Sequence, residues 1–279
     1  MPKVGEELRA AAHRLAQAGC HAPRREAAGL WARLSGGTVG EVWLEQDREA
    51  PEGRRTRYWD AVERRARGEP AAYAAGRAGF RWLELTIDPR VLIPRPETEG
   101  LVERVLGHGG SGSALDVGTG SGCIALSLAT EGGFSRVVAT DASNAALDVA
   151  RANAARLAPR VAVEFRHGDL LEPVSGETFD AIVSNPPYVA AEEFEALDDG
   201  VRLYEPREAL VSPEGGLQHS RRLLEGAAPL LAPGGLLALE VDSTRAEATL
   251  RLAREAGWRG ARLESDLFGR LRYLLATKE

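Results

Sequence analysis

SALDVGTGSGC, residues 113–123, decides how this chain folds. SALDV has the pattern of a short, apolar strand, and CIALSLA resumes the apolar character on the far side of a loop. Between them Gly118, Gly120 and Gly122 alternate with other residues. Glycine at those positions lets the backbone turn sharply and approach a ligand with no Cβ in the way. A helix starting near Ser121 opens with unpaired N–H groups. Strand, glycine loop and helix therefore follow one another over a few residues.

Downstream, the alternation continues. RVVATD (136–141) reads as a second strand and SNAALDVARANAARL (143–157) as a helix. VAVEFR (161–166), FDAIVS (179–184) and GGLLALEV (234–241) are further strands. The helical TRAEATLRLAREAG follows, and WRGARLE and RLRYLLATK close the chain as two more strand-like runs. Alternating apolar strands and helices predict an α/β fold, a mainly parallel, doubly wound sheet of seven strands over residues 97–279.

Upstream the period is different. Residues 1–75 contain no strand-like run; Leu8, Ala11, Ala12 and Leu15 recur at helical spacing, as do Ala28, Trp31, Ala32 and Leu34. Thr38, with Glu41 three positions on, has the form of a capping box, and Pro51 precedes another amphipathic stretch. A small all-helical domain is expected, with Trp31, Trp43, Tyr58 and Trp59 as its core or interface aromatics. Residues 76–96 read as a β-hairpin linker, with FRWLELTI as a strand, Asp88-Pro89-Arg90 as the turn and VLI as its return. PETE (96–99) then opens a helix with acidic residues at its positive end.

Bulk properties narrow the classes. No run of eighteen apolar residues exists to span a membrane. The N-terminal stretch is interrupted by charges and lacks an apolar secretory core, so a cytoplasmic protein is expected. Two cysteines, Cys20 and Cys123, make no disulfide framework, and five scattered histidines have no metal-ligand spacing, so no metal is expected. A net charge of −6 argues against a protein that grips long nucleic acid by its phosphates. RRTRYWDAVERRAR (54–67) is locally basic, which leaves two readings open: a solvated helix face, or a docking surface for an acidic partner or RNA.

The glycine loop carries the first functional expectation. Asp141 ends the second strand, where a carboxylate is placed to accept both hydroxyls of an adenosine ribose. The DxGxGxG spacing differs from the GxGxxG pyrophosphate fingerprint, and Asp116 would repel a pyrophosphate but suits a cationic ligand. S-adenosylmethionine, with an ammonium and a sulfonium, fits best; a dinucleotide site and a purely structural turn stay open. Asp169 follows the third strand, where it meets an adenine edge with Leu170 beside the ring, or caps a helix.

IVSNPPYVA (182–190) carries the second. Asn185 falls at the carboxyl end of the fourth strand, the crevice side of such sheets. An amide or exocyclic nitrogen is a poor nucleophile because its lone pair is delocalised. The Asn185 side-chain carbonyl and the Pro186 backbone carbonyl can accept its two hydrogens, turn the lone pair toward a methyl sulfonium, and take up developing positive charge. Pro187 stiffens the turn and Tyr188 offers a flat face to a planar group. A strand-ending turn with a core tyrosine is the alternative. The glycine loop and Asp141, each at a strand end in the right order, favour methyl transfer to a planar nitrogen.

The chain resembles the HemK or PrmC family of protein-(glutamine-N5) methyltransferases, which modify peptide chain release factors. The resemblance rests on FRWLELTIDPRVLIPRPETE, LDVGTGSGCIALSLA, VVATDAS, SNPPYV, YEPREAL and LEV, and covers most of the chain. It implies a class I, Rossmann-like methyltransferase using S-adenosylmethionine and releasing S-adenosylhomocysteine. It further implies an N-terminal bundle that helps dock a class I release factor, as a monomer without direct nucleic-acid contact. By the same resemblance Gly118, Thr119, Gly120, Ser121, Gly122, Asp141 and Leu170 contact the cofactor. Asn185 to Tyr188 hold the glutamine amide of a Gly-Gly-Gln loop, with Asn185 also near the cofactor, and Arg95, Pro96 and Thr98 line the pocket entrance. LEVDST departs from the family, where a glycine is expected soon after Glu240. Two rivals remain: an N6-adenine or N4-cytosine amino methyltransferase of nucleic acid, and a non-enzymatic scaffold built on the helical domain.

Overall fold

The structure, a computed structural model, describes residues 1–279. Its contacts divide the chain into two units. The first comprises Met1–Ala78, Ile87–Pro89 and Asp198–Tyr204; the second comprises Gly79–Thr86, Arg90–Leu197 and Glu205–Glu279.

The first unit is helical: α1 (Val4–Gln17), α2 (Pro23–Ser35), α3 (Val39–Leu44), α4 (Glu52–Ala66) and α5 (Ala71–Ala75). Thr38 caps α3 as its sequence predicts. Its Oγ1 accepts from the Glu41 N–H at 3.2 Å, and Glu41 Oε2 accepts from the Thr38 N–H at 2.7 Å. Leu8, Leu15, Leu30, Trp31, Tyr58 and Val62 form the buried core. The Trp31 and Tyr58 rings meet edge to face at 4.8 Å, and the Tyr58 hydroxyl donates to the Ala27 carbonyl at 3.0 Å. Trp43 is not a core residue; it sits on short α3 and is 45% exposed.

Half of the six arginines in the basic run of residues 54–67 are paired with carboxylates within this unit. Arg55 pairs with buried Glu7 at 3.2 Å and Arg64 with Glu69 at 2.5 Å, while Arg65 pairs with Glu26. Glu63, inside the same run, takes Arg14 at 2.8 Å, and Arg54 lies over the Trp31 ring. Arg54, Arg55, Glu63 and Arg65 hold α4 to α1 and α2, which favours the structural reading of this segment.

Residues 77–86 form a two-stranded hairpin, β1 (Arg77–Phe80) and β2 (Leu83–Thr86). The expected hairpin is thereby corrected. The turn falls at Arg81-Trp82, within FRWLELTI, and VLI does not return as a strand. Arg81 takes a left-handed φ of 50°, held by its N–H donating to Glu99 Oε1 and its guanidinium clamped on Glu131 and Glu103. Those carboxylates are far along the sequence, so local pattern could not show the turn.

The second unit is the doubly wound sheet. Its strands are β3 (Ser111–Val117), β4 (Gly133–Asp141), β5 (Val163–His167), β6 (Phe179–Ser184), β7 (Leu231–Glu240), β8 (Arg262–Ser265) and β9 (Leu271–Thr277). They lie in the order β5-β4-β3-β6-β7-β9-β8, with β9 antiparallel to both β7 and β8 and every other pairing parallel. The helices of this unit are α6 (Pro96–Gly107), α7 (Cys123–Glu131), α8 (Asn144–Leu157), α11 (Gln218–Gly226) and α12 (Ala246–Glu255). Two four-residue turns of helix fall between α8 and α11, α9 (Asp199–Arg202, in the first unit) and α10 (Pro213–Gly216). Helices on both faces explain why the central strands read as continuous apolar runs rather than alternating ones. Leu115, Val138, Ile182, Leu237 and Leu274 are fully buried. Each such side chain contributes about 1.5–3 kcal/mol by leaving water. From β3 the chain builds outward through β4 and β5, then returns to place β6 on the other side. That reversal opens a crevice at the carboxyl ends of β3 and its neighbours.

Candidate active site

The crevice holds a cavity of about 480 Å³. Its floor is the glycine loop. Gly118 and Gly120 line it with φ of 73° and 54°, and a Cβ on either would meet nothing within 4 Å. The loop is fastened from beneath: the Gly118 and Thr119 N–H groups donate to the Thr140 carbonyl, at 2.9 and 3.0 Å. Gly122 is different. It caps α7 at φ 85°, and a Cβ there would press on Leu126 and Ala150, so this third glycine serves helix packing rather than ligand approach.

Asp141 stands on the cavity wall at the end of β4. Its Oδ2 accepts from the Gly120 N–H at 2.9 Å and its Oδ1 from the Ser143 N–H at 2.8 Å. Those bonds fix both oxygens while leaving lone pairs free. Burial nonetheless raises its carboxyl above the usual range, against the two backbone donors. Asp169 and Leu170 line the same cavity, Asp169 paired with Arg222 at 2.7 Å. Leu170 has a left-handed φ of 49°, and its carbonyl accepts from Thr140 Oγ1 at 3.0 Å.

Asp116 is not on the wall. It is fully buried under the loop, where Oδ2 accepts from Thr119 Oγ1 at 2.6 Å and from the Ala125 N–H at 3.1 Å. Its Oδ1 is buried without a partner, and burial pushes its carboxyl up to about 7. Thr119 and Ser121 are likewise buried; the Ser121 carbonyl accepts from Asn153 Nδ2. Both shape the loop from below.

The acceptor platform follows β6. Ser184 Oγ donates to the Val117 carbonyl at 2.7 Å, tying the end of β6 to the end of β3. Asn185 and Pro187 line the cavity, whereas Pro186 is buried and Tyr188 is partly buried off the lining. Burial raises the Tyr188 phenol above its ordinary range, so it stays neutral. Asn185 Nδ2 donates to Thr98 Oγ1 at 3.1 Å, and no protein group partners its Oδ1. The chain beyond Tyr188 is held by a bridge in which the Val189 N–H donates to the Leu210 carbonyl and the Ser212 N–H to the Val189 carbonyl. Gly216, φ 91°, backs onto it: a Cβ there would lie 2.2 Å from the Tyr188 carbonyl oxygen. Gly216→Ala is therefore expected to cost about 1–3 kcal/mol. Differential scanning fluorimetry should show this as a melting temperature lower by several degrees.

Three residues expected at a pocket entrance separate in the structure. Pro96 is exposed at the first turn of α6. Arg95 is bound to buried Glu205, its Nη2 2.5 Å from Oε1, and Glu205 Oε2 also accepts from the Ile93 N–H. Thr98 is no entrance residue: it is 2% exposed behind Asn185, because the inward face of α6 packs on the strand ends. Among the wall residues that sequence reasoning missed are Arg90, Val91 and Leu92, and also Pro206, Glu208 and His219. Arg90, Val91 and Leu92 fall in FRWLELTIDPRVLIPRPETE and Pro206 and Glu208 in YEPREAL, so the available signal was their place in those segments. The His219 imidazole is fastened to buried Ser212 at 2.7 Å, and burial lowers its pKa. Cys123 opens α7 with its thiol pushed up to about 12 by burial, which disfavours a thiolate at neutral pH.

These residues fit a nucleoside carrying positive charge: two open glycines and a wall carboxylate with free lone pairs. With the seven-stranded sheet they define a class I methyltransferase whose cofactor is S-adenosylmethionine. The Methyltransferase small domain family matches residues 97–218 and the PrmC N-terminal domain residues 6–76. The chain is 42% identical over 279 residues to the release factor glutamine methyltransferase of Moorella thermoacetica, covering 99% of this chain and 97% of that one. It is 37% identical to that of Caulobacter vibrioides, over 96% and 94% of the two chains. The chain belongs to the release factor glutamine methyltransferase family. Among solved structures, a methyltransferase from Pyrococcus furiosus superposes with a TM-score of 0.55 at 21% identity, over 82% of this chain and 99% of that one. A Thermus thermophilus 16S rRNA N2 G1207 methyltransferase bound to the cofactor and guanosine gives 0.53 at 22%, over 73% and 50%. Both likenesses concern the fold alone.

Proposed function

We propose that this enzyme transfers a methyl group from S-adenosylmethionine to the side-chain amide nitrogen, N5, of the glutamine in the Gly-Gly-Gln loop of class I release factors. The observation that carries the chemistry is the Asn185 side chain, fixed through Nδ2 and offering an unpartnered Oδ1 to the cavity that the glycine loop also lines. The bound cofactor supplies an electrophilic methyl group. Asn185 Oδ1 and the Pro186 carbonyl accept the two amide hydrogens, orient the nitrogen lone pair, and offset the positive charge that develops on it. Tyr188, neutral and aromatic, stacks on the planar amide. The alkylated nitrogen then loses its extra proton to solvent, so no strong general base is needed.

The glutamine acceptor is supported by the family, which the full-length relatives carry. Net charge of −6 and the pairing of half of the 54–67 arginines support a protein rather than a nucleic-acid substrate. Incubation with a release factor and labelled cofactor should add one methyl, located by mass spectrometry on the Gly-Gly-Gln glutamine. Label persisting after that glutamine is replaced would sink the reading. Salt-sensitive methylation of bare DNA or RNA would favour the nucleic-acid alternative.

A further inference from the structure

Asn185 does not stand alone. Its Nδ2 donates to Thr98 Oγ1 at 3.1 Å, and Thr98 Oγ1 donates to Glu240 Oε2 at 2.7 Å. The three residues come from three elements: the end of β6, the first turn of α6 and the last residue of β7. Thr98 and Glu240 are 2% and 1% exposed, so water does not compete for these bonds.

We infer that Thr98 and Glu240 are positioning residues that set the direction in which the Asn185 amide faces. The logic is one of donors and acceptors. A carboxylate only accepts, so the single hydroxyl proton of Thr98 goes to Glu240. Thr98 Oγ1 is then left with lone pairs alone and takes only an N–H from Asn185. The amide nitrogen is drawn to the rear and Oδ1 is delivered to the cavity, as an acceptor of the substrate's hydrogens requires. The opposite flip would present an NH2 to an NH2. An amide's two ends are almost the same in shape, so packing alone cannot choose between them. The inference rests on the reading of Asn185 as the acceptor of a planar amide.

The polarity depends on Glu240 being ionised. Burial pushes its carboxyl up to about 7, opposed by the Thr98 hydroxyl and by Arg272 and Arg95, and reinforced by Glu97. Tyr188, Tyr273 and Cys123 also face it, all kept neutral by burial. Once protonated, Glu240 can donate to Thr98, whose proton then turns to Asn185 and favours the wrong flip. At saturating cofactor, kcat should consequently fall on the acid side of pH about 7; saturation separates this limb from that of Asp116, whose carboxyl is pushed to the same value beneath the glycine loop.

The test uses the full chain with a release factor and the cofactor. Thr98→Val keeps shape and removes the hydroxyl. It should lower kcat about tenfold to a hundredfold, as slight misorientation of a reacting group does. The cofactor Kd by calorimetry should stay near wild type, while the melting temperature should fall by several degrees, since buried Glu240 loses its hydroxyl partner. Thr98→Ser should recover most of kcat. Glu240→Gln, able to donate or accept, should lower kcat and erase the acid limb. Thr98→Val with kcat within about twofold of wild type, or Thr98→Ser as slow as Thr98→Val, overturns the inference. An acid limb unchanged in Glu240→Gln does so as well. A wild-type enzyme that leaves the release-factor glutamine unmethylated defeats the proposed substrate instead, a separate and visible outcome.

Discussion

Asn185→Ala should lower kcat about 10²–10³-fold, the usual cost of removing one preorganised partner of developing charge. The substitution deletes the Oδ1 acceptor and leaves Pro186 to hold the amide by one hydrogen only. Thr98 loses its Nδ2 donor, yet its own proton still satisfies Glu240, so nothing buried is left charged and alone. Fold and cofactor affinity should survive for that reason. Single-turnover methyl transfer to a release factor, with calorimetry of cofactor binding alongside, separates the two effects. Turnover equal to wild type would remove Asn185 from the chemistry.

Asp141→Ala should weaken cofactor binding about a hundredfold or more. Hydrogen bonds to a charged group contribute about 1.5–3 kcal/mol each, and about 1.4 kcal/mol is a decade in Kd. Two losses coincide in this variant. The ribose hydroxyls lose their acceptor, and the Gly120 and Ser143 N–H groups lose the carboxylate that holds the loop against the end of β4. Calorimetric titration with S-adenosylmethionine reads both together. Asp141→Asn separates them, since it keeps one acceptor oxygen for the loop or the ribose but lacks the charge. A Kd within about threefold of wild type in the alanine variant would show that Asp141 neither touches the cofactor nor holds the loop in a shape that binding requires.

Much of this was readable from sequence, and the division has a physical basis. Strands β3, β4, β6 and β7 each bury a continuous apolar run that stands out, and the glycine loop must be glycine wherever φ is positive and a ligand approaches. Thr38 and Glu41 announce a helix start because both partners lie within three residues. The Arg81 turn was illegible because its partners lie 18 to 50 residues away. Thr98 looked like a rim residue because a helix's first turn gives no sign, in sequence alone, of which side faces inward. Asp116 looked like a ligand contact because an acidic residue before a glycine loop reads the same whether it points up or down. Sequence pattern reports periodicity and residue type; it does not report which buried groups share a proton.

The ladder between β3 and β6 pairs Val117 with Ser184, and the Ser184 hydroxyl closes on the Val117 carbonyl. The residue after Val117 begins the glycine loop and the residue after Ser184 begins the acceptor platform. Donor and acceptor halves thus hang from the same rung, so the spacing between methyl group and target nitrogen is inherited from strand register rather than negotiated by flexible segments. On the proposed chemistry, breaking the Ser184–Val117 closure would move donor against acceptor even with every binding residue intact.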